Sequence, residues 1–302
     1  VGATAFHFPL IAEKSDLDIS EPTDGLTLKL TAQGRSNNDT NKEEWTYNGV
    51  KTVFEGFKWG GDGWTGDALR LADTARATVQ FRPLEQPEQN VTNAMAFIVK
   101  YKVSEVVDEE AAVIRCVDAE GTGFVITSQE ARMTTRGKSG LSMKMAAGEV
   151  YEVAFVSFPK STDGSSDYEK LNTEMVYLYI NGIMSGSVQR ATSDSVYQAV
   201  PAYIELGADG ATTDVYLIRA YNTYLSDSQV LDTYMIDQDS ADGMLALYDS
   251  NDVIDENGNV TVDSVPEGMR YIIVTGRQAN GVPTVLQAAV NNDKDPKYDV
   301  DE

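Results

Sequence analysis

The sequence contains almost none of the residues that form covalent cross-links or soft-metal sites. Among its 302 residues there is one cysteine, Cys116, and one histidine, His7. A single cysteine cannot form an intramolecular disulfide, so the fold must be stabilised by packing. The same counts nearly exclude a Cys/His zinc site, and a Ser-His-Asp triad would need His7 as its base. The apolar residues around Cys116 predict a buried strand and an inert thiol.

Long apolar runs are also missing. No stretch of about 18 apolar residues occurs, so no segment is predicted to insert into a membrane. The opening VGATAFHFPLIAEK lacks the basic region and apolar core of a signal peptide. The final KDPKYDVDE has neither a helix cap nor a recognisable tail. We therefore expect both ends to be internal to a longer chain that carries other domains.

Basic residues are in short supply. Lysine and arginine together number 24 against 47 aspartates and glutamates, which gives a formal net charge of -23. Such a surface repels phosphate backbones and anionic membrane faces, so nucleic acid is not a predicted partner. The same charge is found in extracellular proteins, in divalent-cation binders and in the soluble proteins of acidic proteomes, and by itself it does not choose among them.

What the sequence does contain, from Gly25 to about Ala220, is a series of short runs in which apolar and polar residues alternate. Leu26, Leu28 and Leu30, for example, share one face of a half-solvated strand. Clusters of Gly, Asn, Asp and Ser separate the runs, and at least eight strands are expected. The pattern predicts an all-β fold, an antiparallel jelly-roll β-sandwich.

Several local signals lie near the end of this region. Asn181-Gly182, between β-forming residues, predicts a type I′ hairpin turn. Ser226 and Gln229 form a capping box before a one-sided apolar pattern, and they predict a short C-terminal helix. The segment SADGMLALYD is expected to add another helical turn or two. Further on, RYIIVTG and VPTVLQAAV predict two strands of a small β appendage.

These features divide the chain into three predicted parts. Residues 1–20 form an N-terminal segment or linker. Residues 21–248 form the sandwich with its closing helix. Residues 249–302 form an acidic linker and a β-hairpin appendage, or the start of a further domain.

The order of these motifs resembles a known family. The segments YLYINGIMSGSV, IELG, DVYLIRAYN and LSDSQVL resemble the closing third of laminin-G/pentraxin-type concanavalin A-like lectin/glucanase domains, although Gln229 replaces the usual acidic helix residue. The segments QGRSNND, GGDGWTGDALRL and TVQFRPL resemble the variant found in long surface or phage tail proteins of gut bacteria. The resemblance spans about residues 20–275 and implies a concanavalin A/laminin-G-like sandwich. Because the family includes glycan lectins, protein-adhesion domains and glycosidases, it implies no particular ligand.

The glycosidase branch of this family carries E-x-D-x-(x)-E on a central strand, which directs three carboxylates into one cleft. The nearest approach here is EVVDEE at residues 105–110, where Glu105 and Asp108 would point to opposite faces of a strand. A solvated turn is the better interpretation. We therefore predict no catalytic residues and no enzyme activity. A glycoside hydrolase with an atypical acid/base pair is the less favoured alternative.

One loop offers a candidate ligand site. Within GGDGWTGDALRL and the residue before it lie Trp59, Asp62, Trp64 and Asp67, which could stack a sugar ring and hydrogen-bond its hydroxyls. The segment lacks the lysine and the strand-then-helix context of a phosphate-binding loop. The alternative is that Trp59 and Trp64 cap the sandwich core, which is the commoner place of tryptophan in such folds.

Calcium is a candidate cofactor, because the resemblance implies relatives that hold Ca²⁺ at a sandwich edge through oxygen ligands. Asn37, Asp39 and Asp62 form the candidate metal site if their loops meet in space. A second acidic stretch, DSNDVIDENGN, lacks the order of ligands in an EF-hand loop, and an acidic hairpin linker is the better interpretation.

The resulting hypothesis is a non-catalytic carbohydrate-recognition or adhesion module of a larger extracellular or phage surface protein. Its partner would be a glycan or a surface protein, and its location extracellular, at a cell surface or on a virion. The alternative is a structural spacer or assembly domain of a tail fibre or surface protein.

Overall fold

The structure of the protein, a computed structural model, describes residues 10–13, 20–80, 95–117, 121, 123–135, 138–160, 173–191, 203–237, 244–249, 269–277 and 283–289. These residues divide into two compact units. The sandwich unit consists of the described parts of Pro22–Ile180 and Gly186–Ser226, and the appendage unit of those of Val1–Glu21, Asn181–Ser185 and Asp227–Glu302. The predicted boundaries at residues 20 and 248 stay a prediction. His7 and most of DSNDVIDENGN lie outside the described residues.

The described elements are short strands with one helix. The first eleven strands are β1 (Leu10–Glu13), β2 (Leu26–Thr31), β3 (Arg35–Ser36), β4 (Thr46–Tyr47), β5 (Val50–Glu55), β6 (Gly63–Gly66), β7 (Leu69–Leu71), β8 (Arg76–Gln80), β9 (Met95–Ser104), β10 (Ile114–Val117) and β11 (Gly123–Ile126). They are followed by β12 (Glu130–Thr135), β13 (Lys138–Lys144), β14 (Val150–Lys160), β15 (Thr173–Ile180), β16 (Ile183–Ala191), β17 (Tyr203–Leu206), β18 (Thr212–Tyr221), α1 (Asp227–Ile236), β19 (Met244–Asp249), β20 (Met269–Arg277) and β21 (Pro283–Ala289).

Two antiparallel sheets form the sandwich. Among the described residues, one has eight strands in the order β13-β12-β11-β10-β17-β8-β5-β4. The other has nine: eight in the order β16-β15-β14-β9-β18-β7-β6-β3, and β2, which pairs with β18. The predicted all-β fold, an antiparallel jelly-roll sandwich with a short helix and a small β appendage, is confirmed.

The core lies between the two sheets, where the alternating apolar residues meet. In β2, Leu28 and Leu30 are 0% and 1% exposed, as the period-two pattern predicts. The ring of Phe124 in β11 lies 4.6 Å from that of Phe97 in β9 and 4.5 Å from that of Phe155 in β14. Each fully buried side chain of this size contributes about 1.5–3 kcal/mol to folding. These aromatic contacts therefore join one sheet to the other.

Cys116 belongs to this core. It lies in β10 as a free thiol with 1% of its surface exposed, which confirms the predicted buried strand. Burial raises the pKa of the Cys116 thiol well above its usual range, because the thiolate would have to form without water. The residue acts as a small apolar side chain.

The Asn181-Gly182 turn has the backbone geometry that its sequence predicts. Both residues have positive φ angles, 51° and 81°, as a type I′ turn requires. At Gly182 a second constraint operates, since a Cβ atom there would lie 2.9 Å from the Cβ of Tyr234 and 3.0 Å from the Cδ1 of Leu231. Helix α1 thus packs closely against this turn within the appendage unit.

The predicted helix is also confirmed. Helix α1 begins directly after Ser226, and its residues Val230, Tyr234 and Met235 are buried. Among the described residues, no helix is long and apolar enough to cross a membrane.

The rest of the appendage unit is a small sheet with the order β1-β19-β20-β21. The strands predicted at RYIIVTG and VPTVLQAAV are confirmed as the antiparallel pair β20 and β21. The helical turn predicted for SADGMLALYD is wrong, because residues 244–249 form β19, which pairs with β1 on one side and with β20 on the other. A short apolar run cannot be assigned to helix or strand by periodicity alone, and here the two neighbouring strands decide.

Candidate functional site

The predicted ligand residues lie in a segment that we call the aromatic loop, residues 54–67. Its rings pack on one another and on a tryptophan from an earlier turn. Phe57 and Trp59 are stacked with ring centroids 4.8 Å apart, and Trp45 meets Trp64 edge to face at 5.3 Å. Such pairs add about 0.5–1.5 kcal/mol each beyond the area they bury. The aromatic residues of this loop therefore form a cluster continuous with the sandwich core.

Trp64 is fully integrated into that core. Its side chain is 4% exposed, and its indole N–H donates a 2.7 Å hydrogen bond to the carbonyl oxygen of Lys42. The guanidinium carbon of Arg35 lies 4.2 Å from the ring centroid. Its polar N–H and its ring contacts are thus used within the protein, as the alternative interpretation of this tryptophan predicts.

Trp59 is half-buried and differently placed. It has a positive φ of 56°, a conformation in which a bulky residue is rare. Its ring stacks on Phe57, and the Lys42 ammonium lies 5.3 Å from its centroid. Trp59 is the tryptophan of the predicted set that keeps part of its surface in water.

The amide of Asn37 holds the loop in place. Its Nδ2 donates to the carbonyl oxygen of Asp62 at 2.8 Å, and its Oδ1 accepts from the backbone N–H of Trp64 at 2.6 Å. A Cβ atom on Gly63, which has a φ of 91°, would lie 2.3 Å from that Oδ1. The structure therefore brings Asn37 and Asp62 together, as the metal-site prediction requires.

The acidic side chains of the predicted set are arranged for local hydrogen bonding. The carboxylate of Asp62 is buried and accepts from the backbone N–H of Lys58 at 3.1 and 2.9 Å. That of Asp39 accepts from the backbone N–H of Ser36 at 2.8 Å, and Asp67 is exposed. Across the described ranges, no group of three or more His, Cys, Asp or Glu side chains could hold a metal ion. The sugar site and the calcium site proposed for these residues stay predictions.

A cavity of about 590 Å³ lies elsewhere in the sandwich unit, where three connections meet. They are residues 105–113 between β9 and β10, residues 127–129 between β11 and β12, and residues 145–149 between β13 and β14. The strand register explains why the three connections lie together, because Ile114 pairs with Ile126 and Glu130 pairs with Lys144. These pairs bring the ends of four strands to the same end of the sheet.

The three connections are hydrogen-bonded to one another. The Ser128 hydroxyl donates to the carbonyl oxygen of Glu109 at 3.2 Å. The backbone N–H of Met145 donates to the carbonyl oxygen of Gln129 at 2.6 Å. The Thr127 hydroxyl accepts from two backbone N–H groups of its own turn, at 3.2 Å each. Thr127 and Ser128 are 2% and 3% exposed. These bonds fix the backbone of the three connections that line the cavity.

The lining combines charged, neutral polar and apolar groups. The charged residues are Glu109, Glu110, Glu130 and Lys144, and the neutral polar ones are Thr127, Ser128 and Gln129. The four apolar residues are Val106, Met145, Ala146 and Ala147. Glu130 also forms an ion pair with Arg132. Small-molecule sites have volumes of roughly 300–1,000 Å³ and a similar mixture of apolar walls and placed polar groups.

Sequence reasoning missed this cavity. It interpreted residues 105–110 as a solvated turn, and Asp108, Glu109 and Glu110 are indeed exposed. No spacing or composition signal joins this turn to residues 127–130 and 144–147. The strand pairing alone brings the three segments together.

Comparison with known proteins gives a likeness of structure. No protein-family model and no curated protein matches the sequence. The chain is similar in structure to the binding domain of botulinum neurotoxin DC in complex with SialylT, with a TM-score of 0.50, 10% identity, and coverage of 90% of this chain and 72% of that one. It is also similar to the receptor-binding domain of the botulinum neurotoxin C/D mosaic serotype, with a TM-score of 0.51, 11% identity, and coverage of 89% and 72%. Identities this low show a shared β-sandwich fold and nothing finer.

Proposed function

We propose that the chain is a non-catalytic carbohydrate-recognition module of a larger extracellular protein. The observation that carries this proposal is the preformed cavity of about 590 Å³ between the three connections. Its volume falls within the range of roughly 300–1,000 Å³ of small-molecule sites, and its lining offers both kinds of contact that a saccharide needs. The carboxylates and the exposed amide of Gln129 can exchange hydrogen bonds with sugar hydroxyls, while Met145 and Ala146 can pack against the C–H face of a ring.

The arrangement of carboxylates supports binding rather than catalysis. A glycoside hydrolase needs a carboxylic acid held in apolar surroundings and a second carboxylate across the scissile bond. Here Glu109 and Glu110 lie on an exposed turn, and Glu130 is paired with Arg132. None of the three is the buried acid that such chemistry uses.

Two further observations support an extracellular context. The neurotoxin DC binding domain, which shares the fold, was determined in complex with SialylT. The motif order resembles surface and phage tail proteins of gut bacteria, so we place the module in a protein of a cell surface or a virion. Its partners would be glycans or glycosylated surface proteins.

A glycan array of the purified chain, followed by calorimetry on each hit, tests the proposal. Ala147→Trp should fill the cavity and abolish binding, since Ala147 lines it and is exposed. The matched control is Thr40→Trp, which places the same ring at an exposed position outside the cavity. A blank array with the intact chain would overturn the proposal and favour a structural spacer.

The aromatic loop is the second candidate site, and the same experiment addresses it. If Ala147→Trp binds normally and Trp59→Ala does not, the sugar site lies at Trp59 and its neighbours Asp62, Trp64 and Asp67. Repeating the calorimetric titration with added calcium and with a chelator tests the predicted metal site. If glycan binding by the parent protein depends on calcium, and binding by Asp62→Asn does not, the ion is assigned to Asn37, Asp39 and Asp62.

A further inference from the structure

We infer that the cavity prefers saccharides that carry a free amino group over neutral ones, and that it binds sugar acids more weakly than either. This inference rests on the proposed function of the same cavity. The juxtaposition that carries it is two neighbouring glutamates, Glu109 and Glu110, in the lining of a cavity that also has an exposed amide, Gln129, and four apolar side chains.

The charges of the lining do not balance. Three carboxylates face one ammonium, that of Lys144. Glu130 has its own compensation, because it is ion-paired with Arg132 and lies opposite Lys144 in the strand register. Within the described part of the chain, Glu109 and Glu110 form no ion pair. Their negative charge is therefore open to a cationic ligand group.

The backbone around these carboxylates is held from both sides. The Ser128 hydroxyl fixes the carbonyl of Glu109, and the Asp108 carboxylate accepts from the N–H of Glu110 at 3.0 Å. The backbone N–H groups of Val107 and Asp108 both donate to the carbonyl of Gly210, at 2.6 and 3.0 Å. A fixed backbone holds the Cα positions of both glutamates beside the cavity, so only their side chains must be ordered when an ammonium binds.

The whole molecule adds to this local field. With a net charge of -23, the surface attracts cations and repels anions at separations up to a Debye length, about 8 Å at physiological salt. A sialic acid or uronic acid would bring its carboxylate toward Glu109 and Glu110, so we expect this chain to differ in ligand from the neurotoxin DC domain, which was determined with SialylT. A protonated amino sugar would form charge-assisted hydrogen bonds with them instead.

Three matched disaccharides test the inference: one of glucosamine, its N-acetylated form and one that contains glucuronate. At pH 6, where the amine is protonated, we expect the glucosamine disaccharide to bind about threefold to tenfold more tightly than its N-acetylated form, as two solvent-exposed ion pairs would give. The glucuronate form should bind more weakly than either. In 0.5 M NaCl the preference should fall to less than about twofold.

Variants of both charge signs separate electrostatics from a change in shape. Glu109→Gln combined with Glu110→Gln should remove the preference while leaving the neutral disaccharide bound. Lys144→Gln should increase the preference, because it removes the one ammonium of the lining. Glu43→Gln, an exposed glutamate outside the cavity, is the control for net charge and should change nothing.

The outcomes distinguish the two claims. If neutral and amino disaccharides bind equally, and Ala147→Trp abolishes both, the cavity is a sugar site and the inference about amino groups is wrong. If the glucuronate form binds best, the inference is also wrong. If none of the three disaccharides binds and a broader glycan array is blank, the proposed function itself fails.

Discussion

The aromatic loop and the cavity differ in residue composition and in how much of their side-chain surface is exposed. The loop concentrates tryptophan and aspartate within a few positions, which is the composition of a sugar site, yet its Trp64 is buried and its Asp62 bonds to the backbone. The lining of the cavity includes none of the aromatic residues and comes from three separate segments, yet it is concave and preformed. Residue types that can bind a ligand are the same types that build a core, and only exposure separates the two uses.

This contrast yields a general expectation. Substitutions in the aromatic loop should reduce the free energy of unfolding and leave the intrinsic affinity of the folded protein unchanged. Substitutions in the cavity should change affinity and reduce stability less than those in the aromatic loop. Four experiments test the contrast, in order of decreasing effect on stability.

The largest effect is expected for Trp64→Ala. Removing a buried aromatic side chain and the indole hydrogen bond to Lys42 should reduce the free energy of unfolding by about 3–5 kcal/mol. Urea unfolding followed by circular dichroism measures this, with Trp59→Ala as the matched control, which should be less destabilising because Trp59 is only half-buried. Full stability together with lost glycan binding would reverse the assignment of the loop.

Asn37→Ala should have the next largest effect, about 1–3 kcal/mol, because it leaves the N–H of Trp64 and the carbonyl of Asp62 without their partner. Its neighbour Asn38 is exposed, so Asn38→Ala should stay within about 0.5 kcal/mol of the parent protein. Thermal and urea unfolding of the pair gives the comparison. Equal stability of the two variants would show that the amide does not hold the loop.

Ser128→Ala tests the link between two walls of the cavity. Losing the hydroxyl that donates to the Glu109 carbonyl should reduce the free energy of unfolding by about 1 kcal/mol. We also expect sugar affinity to fall a fewfold, because the Glu109 turn is less firmly held. Ser142→Ala, on the exposed face of β13, is the control and should change neither quantity. An unchanged affinity would mean that the wall is held by other contacts.

The smallest effect on stability is expected for the double variant Glu109→Gln with Glu110→Gln. Both side chains are exposed and form no ion pair among the described residues, so the free energy of unfolding should change by less than about 0.5 kcal/mol. Urea unfolding checks this. A larger loss would show that the two carboxylates support the fold, and any change in binding by this variant would then need another explanation.

Much of the fold could be predicted from local chemistry. Alternation in β2 predicted the burial of Leu28 and Leu30, Asn181-Gly182 predicted a turn with two positive φ angles, and Ser226 predicted the start of α1. In each case the deciding interaction lies within a few residues. The segment 244–249 was predicted wrongly because its state depends on β1 and β20, which are distant in sequence.

The candidate site was far less accessible to the same reasoning. Trp59, Asp62, Trp64 and Asp67 were identified by residue type, but the packing of Trp64 on Trp45 depends on a contact between separate turns. The cavity depends on the pairing of β10 with β11 and of β12 with β13, which places three connections at one end of a sheet. Concavity is a property of this arrangement and of no single segment.

The sequence by itself determined the all-β class, the turn and helix signals, the negative charge and the inert thiol, because each depends on composition or on short-range periodicity. The tertiary structure alone decided which polar and aromatic residues face water. That choice depends on the register and order of strands far apart in the chain. A tryptophan suited to a sugar therefore became core, and an acidic turn that was predicted to be merely solvated became part of the lining of a cavity.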